Sequence, residues 1–405
     1  MAANYGDTLM RTVNICGVGM TRFGKYPDRS LKDLAREAVT AALADAGVEI
    51  PCLQAAFVGN SMAGIVTGQE AVRGQVVLSA MGIGGLPIVN VENACASGST
   101  ALHQAWMAVG AGLHEVVLVL GVEKLFHPDR AVTLRALASA TDVEKLSGDG
   151  GGSVFLEESS QRLAAYMKRT GATLRHVAMV AEKSHRNSAL NPSAQYQKAY
   201  SVEEILASPV SAPPLTRLMC SPIGDGAAAL VVCSEAYAKK IGRAGIRIGA
   251  SVVRSASSPD GVGIAERGAS AAYDMAGIGP EELSLAEVHD TTAASELMLY
   301  EKLGFCGADE GPRLVDTGAI QIDGRIPVNT SGGLISRGHP VGATGVAQIV
   351  EITQQLRGQA GPRQVNGARI GLAHNSGGTV LGEPAALCIH ILVADDAERT
   401  RNLGN

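Results

Sequence analysis

Cys95 lies in the stretch VNVENACASGSTAL, residues 89–102, where a β-rich apolar run gives way to small residues and then to a helix-forming pattern. A thiol in the first turn of a helix faces unpaired backbone N–H groups and the positive end of the macrodipole, both of which favour thiolate. The chemistry open to such a group is nucleophilic attack. A cysteine among Ala, Gly and Ser is otherwise a small buried hydrophobe. Here Ser97, Gly98 and Ser99 leave little bulk beside the sulfur, which reads as room kept for a substrate.

Hydrophobic periodicity supplies the elements that would hold this residue. A strand at Val13 to Val18 is followed by an amphipathic helix at Leu31 to Ala46 and a strand at Ala55 to Gly59. The second half repeats the order, with a strand at Ile246 to Val253, a helix around Gly268 to Ala276 and a strand at Leu285 to His289. Cys95, its helix and the strand HEVVLVLG (114–121) have a counterpart in GHPVGATG (338–345) and the helix running to Leu356. Each half ends in a Gly-rich turn beside an apolar strand, IGDGAAALVV (223–232) and NSGGTVL (375–381). Such duplication predicts two copies of one plan.

A segment richer in charge, Ser and Pro interrupts the first copy and reads as an inserted lid or loop domain. The boundaries expected are 1–123 with 219–244 for the first half, 124–218 for the insertion and 245–405 for the second half. The site would lie where the halves meet.

The 405-residue chain is 46% hydrophobic and 18% charged, which excludes global disorder. Its net charge of −5 gives no reason to expect nucleic acid or an anionic membrane as a partner. Seven cysteines, odd in number and without CxxC pairs, suggest neither a disulfide framework nor a metal site and fit a reducing cytosol. No apolar run reaches the length of a membrane span, so a cytoplasmic protein is expected. With 49 glycines and only 3% aromatics, close helix-on-sheet layers are favoured over a ring-filled sandwich. The fold class is α/β.

The segments NACASGS around Cys95, SPIGDGAAALVV, NTSGGLISRGHPVGATG (329–345) and the terminal HNSGG turn occur in an order that resembles the thiolase superfamily. HDTT at 289–292 and SHRNSALNPSAQY at 184–196 resemble its sterol-carrier-protein-type branch, which has HDCF at the first of these positions. The resemblance implies a five-layered αβαβα fold, a homodimer, no tightly bound cofactor, and acyl transfer between coenzyme A and a cysteine.

In that scheme Cys95 becomes acylated and His339, held between Gly338 and Pro340, is the candidate base. His289 would help bind a thioester oxygen together with His339, and Asp290 reads as a cap or scaffold residue. A second oxyanion hole would use the N–H of Cys95 and the turn Asn375 to Gly378, with Gly377 or Gly378 as donor. Lys183, Arg186 and Lys198 are the candidates for the coenzyme A phosphates. Cys220 is the remaining cysteine of interest, and Met62, Ala63 and Gly64 are candidates for the acyl pocket.

The chain departs from the family in one respect. The second acid/base cysteine is replaced by Asn375 in one usual position and by Thr291 in the other, and neither side chain titrates in a useful range. His289 or His339 doing double duty, His374 serving instead, or a reaction without that group are the alternatives. They leave three functional readings: a thiolase-like acyltransferase, a retro-aldol lyase acting on a coenzyme A thioester, and a subunit that works only with a small zinc-ribbon and OB-fold partner.

Overall fold

A computed structural model describes residues 10–145, 154–243, 245–257 and 263–394. Its strands are β1 (Val13–Met20), β2 (Ala55–Gly59), β3 (Ile88–Val91), β4 (Val116–Glu123), β5 (Val210–Ala212), β6 (Leu215–Thr216), β7 (Gly226–Ser234), β8 (Ile246–Ser255), β9 (Leu285–Glu287), β10 (Ile370–Gly377) and β11 (Ala386–Ala394). Nine of them form a sheet in the order β3-β2-β4-β7-β1-β8-β11-β10-β9.

The order is palindromic about the β1/β8 seam. In each half a parallel pair (β2/β4, β9/β10) is followed by two antiparallel pairings (β4/β7 and β7/β1, β10/β11 and β11/β8). The seam is short, joining Asn14 to Arg247 and Ile15 to Ile246. The duplicated halves are therefore two half-sheets hydrogen-bonded into one.

Helices cover both faces. Leu31–Ala46 starts at a Ser30/Asp33 capping box and stops at Gly47 in the left-handed region. Its buried stripe, including Leu31, Leu34, Ala35, Ala38, Val39 and Ala42, follows helical spacing and packs on β1 and β7. Ile264–Ala276 does the same on β8 and β11. Between the half-sheets lie the inner helices Ser97–Gly110 and Val341–Leu356. The second of these is buried nearly all round, as a helix sandwiched between apolar layers must be.

The inner helices approach closely enough that a Cβ on Gly98 would sit 2.6 Å from the carbonyl oxygen of Gly342. This corrects the expectation that Gly98 keeps room for a substrate. Its missing side chain lets one inner helix touch the other, and that contact brings Cys95 and His339 to one end of the helix layer.

Residues between 124 and 218 form the helices Arg130–Ala138, Val154–Thr170, Leu174–Ala189 and Val202–Leu206 and the β5/β6 hairpin. Leu163, Val177, Val180 and Leu215 of this segment share a core with Leu297 and Ile335 of the second half.

The sulfurs of Cys16 on β1 and Cys233 on β7 are joined in a disulfide, in contrast to the expectation of free thiols. A sequence separation of 217 hides an adjacency that only the antiparallel pairing of β1 and β7 creates. Among the described residues no helix is long and apolar enough to cross a membrane.

Candidate active site

Cys95 lies in the loop between β3 and the inner helix Ser97–Gly110, with Ala96 as the N-cap. The loop is wired by local side chains. Ser97 Oγ accepts from the N–H of Asn93 (2.9 Å) and donates to the carbonyl of Ala94 (2.6 Å), and Asn93 Nδ2 donates to Thr100 Oγ1 (3.0 Å). Ala94, next to the nucleophile, has φ +48°, a left-handed conformation that a non-glycine residue adopts only when its surroundings impose it.

The end of β10 closes over this loop. A Cβ on Gly377 would lie 2.1 Å from the Asn93 carbonyl oxygen and 3.0 Å from the Cys95 nitrogen, so no larger residue fits. The backbone N–H groups of Gly378 and of Cys95 itself are directed at the Cys95 sulfur.

His289 follows β9, and His339 precedes the inner helix Val341–Leu356. Their rings meet edge-on, 5.2 Å apart at 83°. Cys95 Sγ and one nitrogen of each imidazole lie within 4.8 Å of one another. Three segments far apart in the chain thus converge.

The two imidazoles are held in opposite proton arrangements. Thr344 Oγ1 donates to the Pro340 carbonyl (2.9 Å), so His339 Nδ1, 2.7 Å away, must donate to that hydroxyl, and its Nε2 is left as an acceptor. His289 Nδ1 accepts from the amide nitrogen of Asn375 (2.9 Å), which leaves its Nε2 as a donor. The site contains one base and one hydrogen-bond donor of the same residue type.

Burial sets the resting charge. It pushes the Cys95 thiol up to about 12, overriding the N–H groups of Gly378 and Cys95 that pull it down, and carboxylates of Glu123 and Glu92 add to the rise. It pushes His339 down to about 3 and His289 well below the usual imidazole range, the latter reinforced by His339 and His374. This corrects the expectation of a thiolate prepared by a helix N-terminus. Loss of solvation outweighs the dipole, and at neutral pH the resting pair is thiol and neutral imidazole.

Gly377 and Gly378 lie beside the cysteine, and Asn375 lies beside His289. Asp290 is a scaffold residue, its Oδ1 accepting the N–H of Leu334 (2.7 Å) at the start of the helix Gly333–Arg337. Thr291 borders the cavity, and its carbonyl accepts the N–H of Ser221 (2.9 Å). Cys220 borders the same cavity, with its thiol bonded to the Thr216 carbonyl (3.4 Å) and pushed up to about 12 by burial. His374 also borders it, and its Nδ1 accepts the N–H of His289 (3.4 Å).

Lys183 does not face a ligand, which corrects its assignment to coenzyme A. It is fully buried, paired with Glu296 and donating to the Val328 carbonyl (2.7 Å). An unpaired buried ammonium would be costly, and the carboxylate is what makes the position tolerable. Arg186 is paired with Glu182 and bonded to Gln321 at the surface. Lys198 lies over the Tyr200 ring, 4.5 Å from its centroid, with Glu204 3.9 Å away. Neither Arg186 nor Lys198 borders the cavity.

The cavity above Cys95 has a volume of about 750 Å³. Met62, Leu125, Phe126, Leu137, Ile223 and Met298 make much of its wall apolar, whereas Ala63 and Gly64 are not part of it. Exposed Lys25, Arg130, Arg217 and Lys302 border it. Among the described residues none of these four has a carboxylate partner. Sequence reasoning missed them because they share no motif and come from four separate regions.

The model of the thiolase N-terminal domain matches residues 13–236, and that of the thiolase C-terminal domain matches residues 251–389. The chain belongs to the thiolase family, an acyltransferase class of enzyme. The acetyl-CoA acetyltransferase of Methanothermobacter thermautotrophicus is 39% identical, over 91% of this chain and 97% of its own. Sterol carrier protein 2 of Bos taurus is 36% identical over 98% of this chain and 75% of its own, in keeping with the sterol-carrier-type motifs. Among solved structures, an Ltp2-ChsH2(DUF35) aldolase superposes with a TM-score of 0.77 at 26% identity, over 96% of this chain and 99% of that one. Human mitochondrial 3-ketoacyl-CoA thiolase shares the fold, with a TM-score of 0.72 at 20% identity, over 95% of this chain and 99% of that one.

Proposed function

We propose that the protein cleaves a 3-oxoacyl-CoA with coenzyme A, or runs the reverse condensation, through an acyl-Cys95 intermediate. The observation that carries this reading is the opposed proton arrangement of the two imidazoles beside one sulfur. As Cys95 Sγ attacks the 3-oxo carbon, its proton passes to His339 Nε2, and the new oxyanion accepts the N–H groups of Cys95 and Gly378. The C2–C3 bond then breaks, and its electron pair forms an enolate whose oxygen accepts from His289 Nε2. Protonated His339 returns the proton to C2, releasing acetyl-CoA, or its counterpart substituted at C2, and leaving the shortened acyl group on Cys95. Coenzyme A then takes the acyl group from Cys95, with His339 again receiving the thiol proton. One imidazole serves in both half-reactions, which removes the need for a second acid/base at Thr291 or Asn375.

The apolar cavity supports an acyl chain larger than acetyl, with the 124–218 segment as its lid. Lys25, Arg130, Arg217 and Lys302, which have no carboxylate partner among the described residues, support binding of the coenzyme A phosphates. β3 is the open edge of the sheet and Val89 is 42% exposed on it, which supports pairing with a second copy as a homodimer.

Incubation with a panel of 3-oxoacyl-CoAs followed by mass spectrometry should show one acyl adduct on Cys95, discharged on adding coenzyme A. An unmodified Cys95 throughout the panel would reject the reading.

The second reading is a retro-aldol lyase, favoured by the similarity to the Ltp2-ChsH2(DUF35) aldolase and by the absent second cysteine. The name of that aldolase joins two components, which also supports a small partner subunit for this chain. Full lyase activity in Cys95→Ala would favour the lyase, and turnover by the purified chain alone would exclude an obligate partner.

A further inference from the structure

We propose that Cys95, His289 and His339 form an inhibitory binding site for Zn²⁺ or a similar soft divalent cation, with the fourth coordination position open to the cavity. One thiol and two imidazoles, with their donor atoms within 4.8 Å of one another and no carboxylate among them, are a zinc-type donor set. Bond lengths of about 2.3 Å to sulfur and about 2.0–2.1 Å to nitrogen bring donors in a tetrahedral site to about 3.3–3.6 Å apart, so the three groups must draw in by roughly an ångström. Side-chain rotation at the cavity wall supplies that movement.

The surroundings fit a metal-bound state. Metal-ligating imidazoles usually donate their other ring N–H to an outer partner. His339 already does so through Nδ1 to Thr344 Oγ1 at 2.7 Å, leaving Nε2 free to ligate. His289 needs the opposite of its present arrangement, and Asn375 can provide it. The amide oxygen of Asn375 is buried without a partner among the described residues, so turning the amide over lets Oδ1 accept from His289 Nδ1–H and frees Nε2 for the metal. The cation displaces the Cys95 proton, so each binding event forms one sulfur–metal bond and releases one proton to solvent. Coordination takes the nucleophile and both imidazoles together, and the bound ion blocks the floor of the cavity.

The test uses the purified full chain, stripped with chelator and titrated with Zn²⁺ alone by calorimetry in buffers of different ionisation enthalpy, and with Co²⁺ by absorption. The expected result is one ion per chain, about one proton released, and a thiolate-to-cobalt charge-transfer band with tetrahedral ligand-field bands. Cys95→Ser and His339→Ala, checked for folding by circular dichroism, should remove the band and weaken binding at least tenfold. Asn375→Ala should weaken it by roughly 10–100-fold as loss of an outer partner does. Cys52→Ser, which removes an exposed thiol elsewhere, should leave stoichiometry and affinity unchanged. Binding that survives in both Cys95→Ser and His339→Ala, or a cobalt spectrum without the thiolate band, overturns the site. Because the readout is binding to the resting protein, it stands or falls apart from the acyl-transfer reading.

Discussion

At Cys95 two forces act on one proton. The N-terminal position and two aimed N–H groups favour thiolate, burial disfavours it, and burial prevails, leaving a thiol near 12 beside an imidazole near 3. The reactive pair therefore forms only when the developing oxyanion makes charge separation worthwhile. Alkylation of Cys95 by iodoacetamide should accordingly keep accelerating through pH 9–10, whereas a thiolate prepared in advance would level off in the neutral range. His339→Ala should slow acylation by about 10²–10⁴, the usual contribution of a positioned base. A plateau below pH 8, or a His339→Ala variant as fast as the wild type, would refute the assignment of base and resting state.

Among the elements, the end of β4 decides how the helix layer meets the cavity. Glu123 is fully buried there, and its Oε2 accepts the N–H groups of Ser61 (3.1 Å), Met62 (3.2 Å) and Gly342 (3.0 Å), while Oε1 accepts from Asn60 Nδ2 (3.0 Å). One carboxyl ties the loop after β2 to the first turn of the helix that follows His339. Burial raises it to about 7 in spite of those donors. An unfolded Glu releases its proton near about 4.3, so the folded state binds more proton between these values and this group's stability contribution is lost as pH rises toward 7. Glu123→Gln, which must turn an N–H toward a donor, should cost about 1–3 kcal/mol. The gap in Tm between wild type and variant should narrow from pH 5 to pH 8; a gap that is constant or widens would disprove the raised carboxyl.

For the whole molecule, the palindromic sheet leaves β3 at one outer edge and the short β9 at the other, and β3 carries the exposed Val89. An apolar residue on an open edge invites pairing with another chain. Val89→Lys should convert a dimer to monomer in light scattering while circular dichroism stays unchanged, and a wild-type chain that is monomeric at micromolar concentration would dismiss the edge as an interface. The same scale explains the four cations around the cavity. They gather because two half-sheets and the 124–218 segment close over one helix end, so no local pattern announces them.

Local order determined much of this protein by itself. Apolar spacing marked Leu31–Ala46, and Ala55–Gly59 was likewise read to its ends, because both depend on neighbours a few residues apart. Repeated element order disclosed the duplication, and small-residue motifs marked Cys95, His289, His339 and the Asn375–Gly378 turn. Tertiary structure alone decided the joining of the half-sheets at Asn14–Ile15, the Cys16–Cys233 bond, the burial of Lys183 and the helix-packing role of Gly98. It also decided the protonation of the thiol. Solvation and contact across hundreds of residues set those properties, and neither is written in residue spacing.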